Sequence, residues 1–361
     1  MNLVKRALWW KELGCQVVIF CVDESPIYKK AKDGLLRIER VNRNKKYGDR
    51  TNAKRVYQLC LKHKTNVLWI RDSRDISIAG RIKKLSDGKI VVVYQQAMQL
   101  GVKKKDFIHT RRFSRIDIWI SPLEFLAKQV REKTKFPSER IYVIPLGVEI
   151  QQLLCQTTER SSARVQYNLD QNITVLGIIG RIDPKKGQLF LVSALAELRK
   201  KHEDLHVLIV GEKTRGEAEG YEEDVKKAIA KLGLKKFVHF KPFSDDVGSF
   251  YAACDIVVMA SEAETFGMVT LEAMLFGCKI IGTNTGGTPE LLGWGEFGEL
   301  YGPDNMKEFC QAFETMMVDE DRAAEKARNG RIHSKERYEH QRECEEIGYL
   351  IERSLEMVKK K

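Results

Sequence analysis

The chain has 361 residues, 43% of them hydrophobic and 31% charged, an ordinary globular balance with material for two cores. No run reaches the roughly 18 apolar residues of a membrane-spanning helix, and the opening residues do not read as a signal peptide, so a cytoplasmic protein is expected. The eight cysteines show no C-x-x-C spacing, and several sit in apolar strand-like runs, which predicts reduced, mostly buried thiols.

The net charge of +12 is unevenly shared. Residues 1–150 hold 33 Lys/Arg against 15 Asp/Glu, a surplus of 18 positive charges, whereas the remainder holds 29 against 35. A basic half joined to an acidic half predicts two domains. Either the first domain faces something anionic, such as lipid headgroups, phosphorylated acceptors or nucleic acid, or its charge is simply a solvated surface. Nucleic acid is not expected, because the basic stretches lack interleaved aromatics.

In chain order, residues 1–13 read as a helix stopped by Gly14, followed by a strand over 15–22. Further strands are predicted at 66–70, 89–94, 117–121 and 141–144, with helices at 51–63 and 122–133 among them. Alternation of this kind indicates a parallel sheet covered on both faces. The pattern lapses around 147–164, where "QTTERSSAR" is polar enough for a linker. It restarts with strands at 173–179, 206–210, 237–240, 255–259 and 279–282, and helices at 187–201, 217–232 and 245–253. The expected domains are 1–150 and 165–335, with a charged C-terminal helix over 336–361 packing back on the first. Two doubly wound domains imply a cleft lined by the carboxyl ends of strands.

Three stretches carry chemistry. In "GIIGRIDPKKGQLFLVSAL", a strand ends at Gly180, and Arg181 and Lys186 occupy a short loop that Gly187 closes into a helix. Two cations with nearby backbone N–H groups suit an anion, although by spacing alone they are equally two solvent-facing residues. In "EAETFGMVTLE", Glu264 stands at the carboxyl end of a strand, and Gly267 lets the chain pass close to a ligand. The N–H groups of Gly267, Met268 and Val269 are the orphan donors of the following helix and suit a phosphate. Glu272, about one turn further in, is placed to accept hydrogen bonds from a ribose diol. A metal site or an acid/base pair fits less well, since no third ligand stands nearby and Glu272 is a turn deep on a helix. A helix cap at Glu264 leaves Phe266-Gly267 unexplained. In "GTNTGGTPELL", Gly286-Gly287 turns after a strand, and Pro289 opens a helix.

Together, "GR-x4-KG", "E-x-FG-x4-E" and "GG-x-PE" resemble the nucleotide-sugar-binding domain of family 4 retaining glycosyltransferases, which have the GT-B fold. The seven residues between Glu264 and Glu272 match that family's E-x7-E signature. The resemblance runs along the whole chain, strongest from 141 to 300, and includes "IPLGVE" at the interdomain junction. It implies an α/β fold of two Rossmann-like domains facing a central cleft. It also implies transfer of a sugar from a nucleotide diphosphate to a glycan or lipid-linked acceptor, with retained configuration, no obligatory metal and no other cofactor. By the same resemblance Arg181 and Lys186 neutralise the departing diphosphate and Glu264 contacts donor-sugar hydroxyls. Glu272 takes the ribose, Gly180, Phe266, Gly267, Met268 and Val269 contribute to donor binding, and Glu212, Lys241 and Phe243 lie near the nucleoside. The family usually has glycine where Lys241 stands.

Two departures lie in the first half. Many relatives carry a histidine just beyond the strand at 89–94, whereas this chain has Ala97, with His109 further on. Relatives also begin one strand earlier, with a Gly-rich loop before the first helix. The expectation is therefore that the first strand of the N-terminal domain is missing and that its neighbours have unpaired backbone groups. Either the functional chain starts about 15–25 residues upstream, given a strand plus a glycine loop, or the chain is not a competent transferase. A donor-binding partner subunit and a nucleotide-sugar epimerase of the same fold are the alternative readings. Peripheral association with the anionic inner face of a membrane is expected from clusters such as "GVKKKD" and "HTRRFSR".

Overall fold

The computed structural model describes residues 2–212 and 220–360; the predicted helix start at 217 lies outside them. The chain divides into two compact units, Met1–Gly147 with His340–Lys361, and Val148–Glu339.

Unit 1 contains six strands, β1 (Val18–Cys21), β2 (Arg37–Arg40), β3 (Val67–Ile70), β4 (Val91–Gln95), β5 (Ile118–Ser121) and β6 (Ile141–Val143). β3 to β6 pair in chain order, all parallel. Every residue of β4 and β5 is buried, as an unbroken apolar run requires when both faces of a sheet are covered. Successive side chains alternate between faces. Val92, Tyr94 and Trp119 pack into one core with Ile76, Phe113 and Val130. Val91, Val93, Ile118 and Ile120 pack into another beneath Ile347 and Leu350 of the helix His340–Lys359. That helix is amphipathic, and its apolar stripe covers the second face. It is tied to the first helix, Asn2–Glu12, by a buried ion pair, Arg6 Nε to Glu343 Oε1 at 2.9 Å.

β1 and β2 form a separate two-stranded parallel sheet. Among the described residues no strand joins β1 to β3, although Phe20 of β1 and Leu68 of β3 pack against the same cluster of Ala53, Val56, Cys60 and Ile82. β2 ("RIER") has no apolar run and is not evident in the sequence. Its Glu39 is held by Lys62 and His63 at 2.8 and 2.6 Å.

Unit 2 is a six-stranded parallel sheet of β7 (Thr174–Ile179), β8 (Leu205–Val210), β9 (Val238–Lys241), β10 (Ile256–Met259), β11 (Lys279–Thr283) and β12 (Glu299–Tyr301). Their order is β12-β11-β10-β7-β8-β9. The chain therefore reverses direction across the sheet between β7 and β10, the switch point at which doubly wound sheets bind ligands. All three sequence motifs fall in loops that leave the carboxyl ends of β7, β10 and β11.

The polar stretch expected as a linker is instead part of unit 2, with helices at Ile150–Leu154 and Arg160–Tyr167. The reason is Arg164, whose side chain is wholly buried. It donates to the carbonyls of Asp170, Gln171, Ile173 and Ala253 and pairs with Asp255 at 2.7 Å. Composition hides such a residue, because its polarity is satisfied internally. None of the cysteines is disulfide-bonded; Cys15 and Cys155 are exposed, and the other six are buried or partly buried.

Candidate functional site

The loop after β7 is a turn of 3₁₀ helix, Pro184–Lys186, capped by Asp183, whose Oδ1 accepts from the Lys185 N–H at 2.9 Å. Gly187 follows at φ 77°, and a Cβ there would collide with the carbonyl of Ala260. Only glycine permits this approach, which brings the loop against the end of β10. There the Glu262 N–H donates to the Lys185 carbonyl at 3.1 Å. Lys186 Nζ consequently meets Glu264 Oε2 at 2.7 Å, each side chain about a quarter exposed (25% and 23%). Arg181 is exposed, and its carbonyl accepts from the side-chain amide of buried Gln188 at 2.9 Å.

The third motif fixes the backbone of the same residue from the other side. Gly286 has φ 63°, and a Cβ would strike the backbone of Glu264. The Gly287 N–H donates to the Glu264 carbonyl at 2.9 Å. Three motifs spread over about a hundred residues of sequence thus converge on one residue. Gly267 (φ 97°) starts the helix Met268–Phe276 with no side-chain cap. Glu264 is therefore not the cap of this helix, and the first-turn N–H groups of Met268 and Val269 have no intrahelical acceptor. They form a donor-rich, partially positive helix start three residues beyond an ion-paired Glu264.

Glu272 lies on that helix and is partly buried. Its Oε2 accepts from the Tyr251 hydroxyl at 2.9 Å. Burial, and then the Glu272 carboxylate, push the Tyr251 phenol well above its usual pKa, so the phenol remains a hydrogen-bond donor. Tyr251 escapes a reading of the sequence, since it sits in an ordinary apolar helix, Val247–Ala253.

The Phe266 side chain is buried and meets Tyr338 edge-on at 6.1 Å, so toward a ligand it offers backbone. Gly180, Glu212 and Lys241 form a second group. The Gly180 N–H donates to Val210, Ile182 to the Glu212 carbonyl and Gly211 to the Lys241 carbonyl, at 3.0, 3.0 and 3.1 Å. A Cβ on Gly211 would clash with the Gly180 carbonyl, another close approach that the sequence did not single out. Glu212 and Phe243 are exposed and Lys241 is partly buried.

A basic loop lies against a carboxylate, beside an uncapped helix start at the switch point of a parallel sheet, an arrangement in an α/β domain that suits an anionic ligand. Two family models match the chain, Glycosyltransferase Family 4 over residues 7–152 and Glycosyl transferases group 1 over residues 159–333. The chain belongs to this glycosyltransferase family and has its GT-B fold. A D-inositol 3-phosphate glycosyltransferase of Gordonia bronchialis is 30% identical over 204 residues, which are 55% of this chain and 44% of that protein. The lipopolysaccharide 1,2-N-acetylglucosaminetransferase of Salmonella typhimurium is 26% identical over 237 residues, 61% and 60% of the two chains. The chain thus matches less than half the length of the Gordonia protein. Among solved structures, Anabaena Alr3699/HepE in complex with UDP aligns with a TM-score of 0.84 at 21% identity, over 97% of this chain and 95% of that one. A glycosyltransferase from Rickettsia africae gives 0.85 at 20% identity, over 99% and 93%.

Proposed function

We propose that the protein transfers a sugar from a nucleotide diphosphate sugar to an acceptor hydroxyl with retained anomeric configuration, unit 2 holding the donor and unit 1 the acceptor. The observation that carries this is the Lys186–Glu264 pair at 2.7 Å beside the uncapped start of the helix Met268–Phe276. As the bond from the anomeric carbon to the diphosphate breaks, negative charge grows on the leaving phosphate. Lys186, Arg181 and the N–H groups of Met268 and Val269 stabilise that charge without reorganising. Glu264 keeps the Lys186 ammonium in place and accepts hydrogen bonds from hydroxyls of the donor sugar. Glu272, oriented by Tyr251, takes the ribose diol. The acceptor oxygen bonds to the anomeric carbon on the face the diphosphate leaves, and its proton passes to the departing phosphate. No cofactor enters this scheme. The UDP and UDP-glucose complexes of the Anabaena protein favour such a donor, and the lipopolysaccharide relatives favour a glycan or lipid-linked acceptor in cell-surface polysaccharide synthesis.

Unit 1 also carries a surface suited to an anionic bilayer. No helix among the described residues is long and apolar enough to cross a membrane. Met98, Val102, Phe107 and Ile108 are nevertheless all more than half exposed, amid exposed Lys103, Lys105 and Arg111. Apolar side chains fringed by lysines suit peripheral insertion at the level of lipid headgroups.

A second reading, donor binding without turnover, is favoured by the segment after β4. Buried Gln96 there is committed to Trp119 and Ser121 at 3.1 and 2.9 Å, and Ala97 follows it in place of the histidine of many relatives. Thermal shift against a panel of UDP- and GDP-sugars, followed by turnover with the ones that bind, tests both readings. The transferase reading expects a stabilising donor and released nucleotide diphosphate. Stabilisation without turnover favours the second, and no shift from any nucleotide sugar sinks both.

A further inference from the structure

We propose that a pocket in unit 1, beyond the carboxyl ends of β3 and β4, binds the phosphate group of the acceptor, an inference that rests on unit 1 being the acceptor side. Lys46, Lys104, His109 and Arg112 line it together with Ser73 and the aromatic wall of Tyr94 and Trp119. No carboxylate lines it. Of the acids nearest in sequence, Asp72 is held by Arg74 at 2.6 Å and Asp75 by Asn44 at 2.7 Å, whereas Asp106 pairs with the pocket's own His109 at 2.6 Å.

Arg112 is built in rather than draped over the surface. Its Nε donates to Ser77 Oγ and one terminal nitrogen to the Ser73 carbonyl, both at 2.7 Å. Its guanidinium lies 4.8 Å from the Tyr47 ring, with Lys46 5.4 Å from the same ring. Burial lowers the Lys104 pKa, and the charges of Lys46 and Arg112 lower it further. Cations that repel one another around a partly desolvated space are a cost to the fold that a bound anion relieves. A fixed guanidinium beside two ammonium groups matches a tetrahedral dianion better than a carboxylate, since phosphate offers three oxygens to separate donors. The same cations accept a phosphate on a soluble sugar or one linked to a lipid, and apolar Phe107 and Ile108 stand next to His109 in the chain.

The test is calorimetric titration of the full chain with inorganic phosphate and with dodecyl phosphate below its micellar concentration. Each titration is repeated on Lys186→Ala to remove any contribution from unit 2. Saturable phosphate binding is expected in both backgrounds, weakened fivefold or more by Lys46→Met and by Lys104→Met. If Lys104→Met fails to fold, exposed Lys46 decides the question. Tighter binding of dodecyl phosphate than of inorganic phosphate identifies a lipid-linked acceptor, and equal binding a soluble one; both sustain the site. Absence of saturation in the wild type, or unchanged affinity in the lysine variants, overturns it. Saturation by phosphate in a protein that binds no nucleotide sugar keeps the pocket and removes the transferase reading.

Discussion

Arg6 and Glu343 lie 337 positions apart, yet their side chains make two contacts, at 2.9 and 3.0 Å, and are 5% and 2% exposed. Glu343 also accepts from Gln95 Nε2 at 2.8 Å and from the Gly147 N–H at 2.7 Å. Breaking a buried ion pair by removing one partner costs about 3–5 kcal/mol. The two losses are unequal. Arg6→Ala leaves Glu343 two donors, whereas Glu343→Ala removes at once the acceptor shared by Arg6, Gln95 and the Gly147 N–H. Urea unfolding should therefore rank Glu343→Ala as the more damaging change, and the reverse order would contradict the network.

Lys186→Ala and Glu264→Ala are each expected to lower kcat/KM about 10²- to 10³-fold, the usual effect of losing one preorganised charge contact to a transition state. Gly286→Ala should do similar damage without removing any charge, because its methyl group displaces the backbone of Glu264. Circular dichroism confirms folding in each case. Activity within a few-fold of wild type in Lys186→Ala would remove the residue from the mechanism.

Glu272 calls for two variants. Glu272→Gln keeps an acceptor for Tyr251 and should mainly raise the donor KM, as expected of a ribose contact made equally in ground and transition states. Glu272→Ala also leaves the buried Tyr251 hydroxyl without this acceptor, adding a stability loss of about 1–3 kcal/mol. Equal melting temperatures for the two variants would show that the Tyr251 bond contributes nothing.

His239 sets an acid limit on unit 2. Burial, then the charges of His206 and Lys241, push its pKa down to about 4, and the two imidazoles stand with Nδ1 and Nε2 2.9 Å apart. In the unfolded chain His239 takes up a proton near pH 6.5. Between about pH 6.5 and 4 the unfolded state therefore binds more protons, so stability is full above this window and falls as pH drops through it. His239→Gln should flatten the dependence of the urea midpoint on pH over that range; an unchanged slope would exonerate the pair.

At the membrane surface, co-sedimentation with vesicles containing phosphatidylglycerol should exceed that with neutral vesicles and weaken with salt. Replacing Phe107 and Ile108 by serine should reduce binding several-fold without changing unfolding. Equal binding to neutral and anionic vesicles would rule out the electrostatic part.

Most strands that the chain buries on both faces were legible in the sequence, because β4, β5, β7, β8 and β10 are continuous apolar runs bounded by loops. β2 and β12 were not, being short and lacking such runs. At the site, glycine and charge spacing pointed to Lys186, Glu264 and Gly267, since each depends on local backbone conformation. Tyr251, Gly211 and the grip of Gly286 on Glu264 depend on contacts between distant segments, which spacing does not encode. Arg164 shows the same limit more sharply, because its surroundings look like a solvated linker until its five oxygen partners are in place.

The division of unit 1 into two sheets bears on how the molecule opens. β1 and β2, with the helices Asn2–Glu12 and Pro26–Asp33, enclose a small core of their own, Val4, Ala7, Ile19, Cys21, Ala31 and Leu36. Among the described residues no strand ladder connects that core to β3–β6. Cooperative units of a protein tend to follow such boundaries, each opening at its own free energy. In native-state hydrogen exchange the amides of Val18–Cys21 and Arg37–Arg40 should therefore lose protection together, while those of β4 and β5 remain closed. The pair of Arg6 with Glu343 is a side-chain tether across that boundary, and breaking it should accelerate exchange in the small core before it does so elsewhere.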